Sequence, residues 1–346
     1  MKIAIHHRSG GFSNLWIQYC EENQIPYKIV NCYATDIIEN LKDCDALMWH
    51  HHQHNYKDRI FAKQLLYSVE NSGKIVFPNF KTTWHFDDKV GQKYLFEAIG
   101  APLVPSYVFY TKQEAFQWIK QTQFPKVFKT TGGSGSSNVK LIRSKRQAIR
   151  LVKKAFGRGI SALDKRNQLS NRLWRVKRDK SIASIIIFLK GFVRLVIPTV
   201  FEKMHGREKG YVYFQDFIPG NSFDTRLVVV GNRCFGIRRY NRDNDFRASG
   251  SGLLKYEPEL FCTRDIAIAF DLSNKLKTQS AAYDFIYDET GNPLIVEISY
   301  GYNERAYHHC KGYWDKDLNW HDLPVNPQCF IIEDLIEAIK DNKQVV

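Results

Sequence analysis

Two apolar runs joined by a tight turn constrain this chain most: Ala282-Tyr-Asp284-Phe-Ile-Tyr287, then Gly291-Asn292-Pro293, then Leu294-Ile-Val-Glu297-Ile-Ser299. Turn residues between β-prone runs predict two adjacent antiparallel strands, which carry the carboxylates of Asp284 and Glu297 to one end of the pair. Hard oxygen donors that converge suit magnesium, which uses few protein carboxylates and completes its shell with water and phosphate. Acids flanking a Gly-Asn-Pro turn are also common on plain surfaces, so the hairpin alone leaves both readings open.

Upstream, Phe124-Pro-Lys-Val-Phe-Lys129 reads as a short strand, and Val139-Lys-Leu-Ile142 as another. Between them lie Thr130, Thr131, Gly132, Gly133, Ser134, Gly135, Ser136, Ser137 and Asn138. Glycines let backbone N–H groups approach phosphate oxygens, serine hydroxyls add donors, and a lysine at the strand end adds a compact positive charge. The loop is neither a Walker loop nor a dinucleotide fingerprint, because no Gly-Lys-Ser/Thr closes it and a strand follows it. A flexible hairpin turn would have the same composition.

Four segments in one order resemble the ATP-grasp ligases, the family of D-alanine ligase, bacterial glutathione synthetase and the ribosomal-protein glutamate ligase. They are Phe86-Asp-Asp-Lys89 to Gly100-Ala-Pro-Leu-Val-Pro105, the Lys129 strand with its glycine loop, Tyr211 to Gly231 containing Gln215-Asp216-Phe217-Ile218 and Asp224-Thr-Arg226, and the Asp284 and Glu297 hairpin. The resemblance implies an α/β chain with the ATP-grasp fold, two α+β subdomains clasping ATP behind an N-terminal parallel-sheet domain. The expected boundaries are 1–84, 85–210 with a long basic insertion, and 211–346. It further implies that Lys89 and Lys129 contact the ATP phosphates and that the Gly132 to Ser137 loop closes over them. Gln215, Asp216, Phe217 and Ile218 would line the adenine pocket. Asp224 and Arg226 match the Asp-x-Arg pattern, with Arg226 aimed at the transferred phosphate. Where the ligases have Glu-x-Asn, this chain has Glu297-Ile-Ser299. Ser299 would then ligate magnesium by its hydroxyl or through water, or Asn303 would replace it, or a second ion would be held loosely.

Four short apolar runs, Lys2–His6, Tyr27–Cys32, Ala46–Trp49 and Lys74–Pro78, alternate with helical patterns and predict a parallel sheet at the N-terminus. His50, His51, His52 and His54 follow the third run. The carboxyl ends of strands in open parallel sheets border ligand sites, so this cluster is expected to give one or two substrate contacts rather than a zinc cage. Arg238-Arg239 through Arg242 and Arg247 to the Ser-Gly-Ser-Gly252 loop reads as an anion clamp, because guanidinium binds carboxylate or phosphate bidentately, and Arg247 joins Arg226 as a catalytic candidate.

The net charge of +14 suggests nucleic acid until it is localised. Residues 140–210 hold 20 basic and 4 acidic residues, and the remainder holds 30 and 32. Basicity is therefore the property of one insertion, and no nucleic-acid partner is expected. In that insertion basic residues interleave with large apolar ones. It reads either as an ordinary lid helix pair or as a peripheral contact with an anionic membrane or lipid-linked carrier. Seven cysteines without a Cys-x-x-Cys pair fit reduced thiols, and the first residues lack a signal-peptide pattern. The expected location is the cytoplasm, at the inner face of the membrane if the insertion binds lipid.

The activity the resemblance implies is ADP-forming ligation of a carboxylate to an amine through an acyl phosphate, with ATP and Mg2+. Lys89, Lys129, Arg226 and Arg247 would neutralise charge. The Glu297-Ile-Ser-Tyr variant, the Phe246 to Gly252 segment and the basic insertion look like a branch tied to bacterial surface polysaccharides. A kinase acting on a hydroxyl and an ATP-binding scaffold are the alternatives.

Overall fold

The computed structural model describes residues 1–132, 138–161, 164–197, 202, 204 and 206–344. Its first sheet contains β1 (Ile3–His6), β2 (Tyr27–Val30), β3 (Ala46–Met48) and β4 (Ile75–Phe77), all pairings parallel, in the order β2-β1-β3-β4. A parallel sheet is covered on both faces, and alternation along β1 shows how. Ile3 and Ile5 pack with Trp16 of α1 (Ser13–Glu22), whereas Ala4 faces Leu47, Val76 and Leu66. Leu66 belongs to α3 (Tyr56–Asn71), and α2 (Ile37–Asn40) and α4 (Phe80–Thr83) are single turns between strands.

α5 (Lys89–Ala98) leads into the second sheet, capped by Asp88, whose side chain accepts from the Gly91 N–H at 2.9 Å. That sheet comprises β5 (Ser106–Phe109), β6 (Lys126–Lys129) and β7 (Lys140–Ile142), with α6 (Lys112–Gln121) and α7 (Lys145–Phe156) on one face. A two-residue ladder of β8 (Ile160–Ser161) and β9 (Arg207–Glu208) brackets a hairpin of α8 (Lys165–Asp179) and α9 (Ile182–Val196). β10 (Val212–Asp216) then returns between β5 and β6, antiparallel to both. The expected boundary at 210/211 therefore cuts this sheet. Val212 and Phe214 supply the apolar face that meets Phe128 and Ala148, and the chain leaves the sheet only at Phe217.

The third sheet runs β15-β14-β11-β12-β16-β17 with β13 on β12. The ranges are β11 (Phe223–Val230), β12 (Arg233–Tyr240), β13 (Leu254–Lys255), β14 (Ser280–Tyr287), β15 (Pro293–Ser299), β16 (Tyr313–Asp315) and β17 (Trp320–His321). Leu227, Val229, Tyr283, Phe285 and Ile298 pack against α10 (Thr263–Leu276) and Phe96 of α5. On the other face Val228, Val230, Phe235 and Ile237 share one core with Ile5 and Trp16 of the first domain and with Phe330, Ile332 and Leu335 of α11 (Pro327–Gln344). Beyond that core, the same face opens toward the second sheet as a cleft.

Candidate nucleotide and acyl-transfer site

Alternation builds the cleft floor. Asp224 and Arg226 continue the face of Val228 and Val230, and Arg239 continues that of Phe235 and Ile237. Register brings them into a row: Asp224 lies opposite Arg239, Arg226 opposite Asp284, and Asp284 opposite Glu297. A bulge between Asp284 and Phe285 inserts one extra residue into β15. Ile295 and Ile298 stay in the core while Val296, Glu297 and Ser299 all line the cleft. A bulge re-aims side chains in this way because two residues of one strand oppose one of its partner.

The floor is a chain of bidentate ion pairs. Arg226 donates Nε and Nη2 to the Asp284 carboxylate at 2.5 and 2.7 Å, and Arg239 donates to both oxygens of Asp224 at 2.6 Å and to Asp284 Oδ2 at 2.8 Å. Burial works against the Asp284 charge, yet the two guanidinium groups outweigh it and hold the carboxyl well below the usual carboxylate range. The Asp224 partner is thus Arg239, not Arg226. Arg239, which the sequence offers only as one arginine of an anion clamp, is the member of the Arg238-Arg239 pair that lines the cleft. The signal was there: two-residue alternation from Phe235 and Ile237 points Arg239, rather than Arg238, toward the site.

The facing wall comes from the second sheet. Val127 and Lys129 turn away from Phe128 and line the cleft, as does Gln215 of β10. Lys129 Nζ donates to Gln215 Oε1 at 2.6 Å. Burial pulls the Lys129 ammonium down to about 8; Lys89 adds to that depression, while Glu297 and Asp284 oppose it. Lys89, at the first turn of α5, lies 3.2 Å from Glu297 Oε1. Burial would lower its pKa, but Glu297 and Asp87 raise it above the ordinary ammonium value. Val127, Ile218, Ile286 and Val296 form an apolar slot beside these charges, with Phe217 at its edge in ring contact with Phe246.

Lys89, Lys129, Gln215, Asp216, Phe217, Ile218, Asp224, Arg226, Arg247, Asp284, Glu297 and Ser299 all line this one cleft. Three more of them already have partners within the protein. The Asp216 carboxylate is taken by Lys126 at 2.5 Å. Arg247 is clamped by Asp245, 2.8 and 2.9 Å away, and donates to Asn167 at 2.9 Å. Ser299 donates its hydroxyl to the Gly301 carbonyl at 2.9 Å, which leaves its oxygen lone pairs available. Asn303 is exposed and is not among the lining residues. Gly132 is buried beside the α5 N-terminus, where Lys89 N–H donates to the Thr131 carbonyl at 3.0 Å; Gly133, Ser134, Gly135, Ser136 and Ser137 lie outside the described residues. In the histidine cluster, His50 stacks on Phe12 and His51 bonds Thr83, both in the core, and His52 is in ring contact with His54; none of the four is among the cleft-lining residues, whereas Gln53 is.

Neither a family model nor a curated protein matches this sequence. Solved structures do. D-alanine–D-alanine ligase from Bacillus anthracis, complexed with ATP, superposes at a TM-score of 0.58 with 14% identity, over 99% of this chain and 98% of that one. A RimK domain ATP-grasp protein from Sphaerobacter thermophilus gives 0.55 with 14% identity, over 97% and 100%. The ligase PsnB, complexed with a precursor peptide and AMPPNP, gives 0.53 with 9% identity, over 98% of each chain. The chain has the ATP-grasp fold. At these identities the likeness concerns the ATP-grasp architecture alone.

The donor set fits magnesium only together with a phosphate. Among the described residues no group of three or more His, Cys, Asp or Glu side chains is placed to cage a metal. Asp284 and Glu297 stand as register partners with the Ser299 hydroxyl on the same side. That is the sparse oxygen set of an ion that keeps waters and binds through nucleotide phosphates.

Proposed function

We propose that this protein is an ADP-forming ligase that joins a carboxylate to an amine, using ATP with Mg2+ held on Asp284 and Glu297. The observation that carries the reading is the convergence of Lys89, Lys129, Arg226 and Arg239 with those two carboxylates beside an apolar slot, in one cleft between two sheets. Adenine fits the slot formed by Val127, Ile218, Ile286 and Val296, and Lys129 and Lys89 reach the phosphates. Asp284 and Glu297 would hold the magnesium, whose charge would offset that of the phosphates. Phosphoryl transfer depends mainly on positioning and electrostatics, and Arg226 and Arg239, already locked by Asp224 and Asp284, provide both. The substrate carboxylate attacks the γ-phosphorus as the bond to the ADP oxygen breaks. The amine then attacks the acyl carbon, phosphate leaves, and the amine proton is lost. No covalent protein nucleophile is needed.

The test is ADP release in the presence of a carboxylate panel and an amine panel of amino acids and amino sugars, with product masses read directly. A surface-polysaccharide precursor, suggested by the resemblance of the Glu297-Ile-Ser-Tyr variant, the Phe246 to Gly252 segment and the basic insertion taken together, belongs on the panel. An amide mass supports the reading, and a phosphate ester mass replaces it with a kinase. Asp284→Asn or Glu297→Gln should abolish turnover in a folded protein; normal turnover in either variant refutes the metal assignment.

A further inference from the structure

The hairpin of α8 and α9 carries a surface that the ligase reading does not use. Residues 165–197 contain nine Lys or Arg and one acidic residue, Asp179, whose carboxylate is taken by Arg178 at 2.6 Å. α9 reads Ile182-Ala-Ser-Ile-Ile-Ile-Phe-Leu-Lys-Gly-Phe192 over its first turns. Among its described side chains only Ser184 and Gly191 are buried. A Cβ on Gly191 would lie 3.0 Å from both Leu169 and Arg172 of α8, so the helices meet closely there. Arg172 also donates to the Ile187 carbonyl at 3.1 Å. The narrow packed stripe is thus already satisfied, and the aliphatic side chains point elsewhere: Ile182 is 78%, Leu189 57% and Phe192 48% exposed. Contiguous exposed apolar surface of this kind marks an interaction site.

We propose that this hairpin docks the protein on an anionic lipid bilayer, with α9 lying in the interface and the basic end of α8 among the headgroups. Charge selects this occupant. Arg175, Lys177, Arg178 and Lys180 are exposed at the α8 end, beside the first turn of α9. A second copy would bring the same cationic surface against itself at distances shorter than the Debye length of about 8 Å, where salt screens poorly. An anionic bilayer supplies the opposite charge and an apolar layer together. Helix length sets the mode. Fifteen residues at about 1.5 Å each fall short of a hydrocarbon core of about 30 Å, and among the described residues no helix is long and apolar enough to cross a membrane.

Docking would hold the cleft rim near the surface. Trp174 Nε1 and Arg178 Nη1 both donate to the Ser251 carbonyl, at 3.0 and 2.9 Å. Arg242 and Arg247 donate to Asn171 and Asn167 of α8 at 2.7 and 2.9 Å. The loop that brings Arg247 to the cleft is therefore fastened to the docking hairpin. The docking surface stands whether or not the ligase reading does.

Co-flotation with vesicles of phosphatidylcholine alone and of phosphatidylcholine mixed with phosphatidylglycerol tests the proposal. The full chain should float with the anionic vesicles, weaken as salt rises, and ignore the neutral ones. Ile186→Glu with Leu189→Glu, and separately Arg175→Glu with Lys177→Glu and Lys180→Glu, should each lower partitioning by about a hundredfold. Both sets alter exposed side chains, so ATP affinity and melting should stay as in the parent. Light scattering without lipid should report a monomer. Failure to float with anionic vesicles, floating that survives both variant sets, or a dimer dissolved by Ile186→Glu with Leu189→Glu would each overturn it.

Discussion

At the scale of single residues, the site resolves a conflict that burial creates. Lys89, Lys129, Arg226 and Arg239 share a largely buried cleft with Asp224, Asp284 and Glu297, and a buried charge is tolerable where its neighbour is opposite and hydrogen-bonded. Lys129 is the exception, because its close partner is the neutral amide of Gln215. Desolvation leaves it titrating near pH 8, below the ordinary lysine value. In the free protein the charge is present at pH 7 and lost as pH rises through 8. If the charged form binds phosphate, the dissociation constant of ATP should climb about tenfold per pH unit above that value. Lys129→Met should bind weakly throughout and lose this pH dependence; a flat profile for the parent protein would remove Lys129 from the phosphate site. The folding linkage has the opposite sign: over pH 8 to about 10.5 the unfolded chain holds more protons at this group, so its contribution to stability rises with pH. The site was legible in sequence where residue type and local order suffice, as for Lys89, Lys129, Asp284 and Glu297. It is not legible where partner choice depends on register: the Asp-x-Arg pattern puts Asp224 and Arg226 on one face of a strand, but the ion-pair partner of Asp224, Arg239, comes from the next strand.

At the scale of elements, the bulge in β15 does what a regular strand cannot. Strict alternation would let either Val296 or Glu297 face the cleft, and the extra residue lets both do so. Deleting Val296 would regularise the ladder, keeping Ile295 and Ile298 in the core and Glu297 on the cleft side while removing one apolar wall. The melting temperature should then change little, but ATP affinity should fall at least tenfold, since burying a valine contributes about 1.5 kcal/mol or more. Unchanged affinity in calorimetry would show that Val296 is not part of the adenine slot. No residue type announces such a bulge, because Leu294-Ile-Val-Glu-Ile-Ser299 reads equally well as an ordinary strand. The first sheet was far easier to read. Its strands lie in nearly continuous apolar runs with helices between them, and local pattern alone specifies that arrangement. β10 was harder, because it pairs with strands more than eighty residues earlier, and its alternation says only that one face is buried, not against which sheet.

At the scale of the whole molecule, the first and last parts of the chain share a single core. Ile5, Phe12 and Trp16 pack in the same cluster as Phe330, Ile331, Ile332, Leu335 and Ile339. Trp16 Nε1 donates to the Gln328 carbonyl at 3.1 Å, 312 residues away. Residues 327–344 form α11, and nothing local names the sheet it covers; the expected boundaries place it in the last unit only. The consequence is testable. Each large apolar side chain of α11 contributes about 1.5–3 kcal/mol by burial, and five of them together rival the 5–15 kcal/mol by which whole domains are stable. A chain ending at residue 326 should therefore lose the first sheet, not merely fray. The second sheet has its own cluster around Phe128 and Phe214 and should survive. Hydrogen exchange on the truncated chain should show amides of β1 and β3 unprotected while those of β6 and β10 stay slow. Protection retained in β1 would mean that residues 1–84 fold without the last helix, and that the shared core contributes far less than its buried area implies.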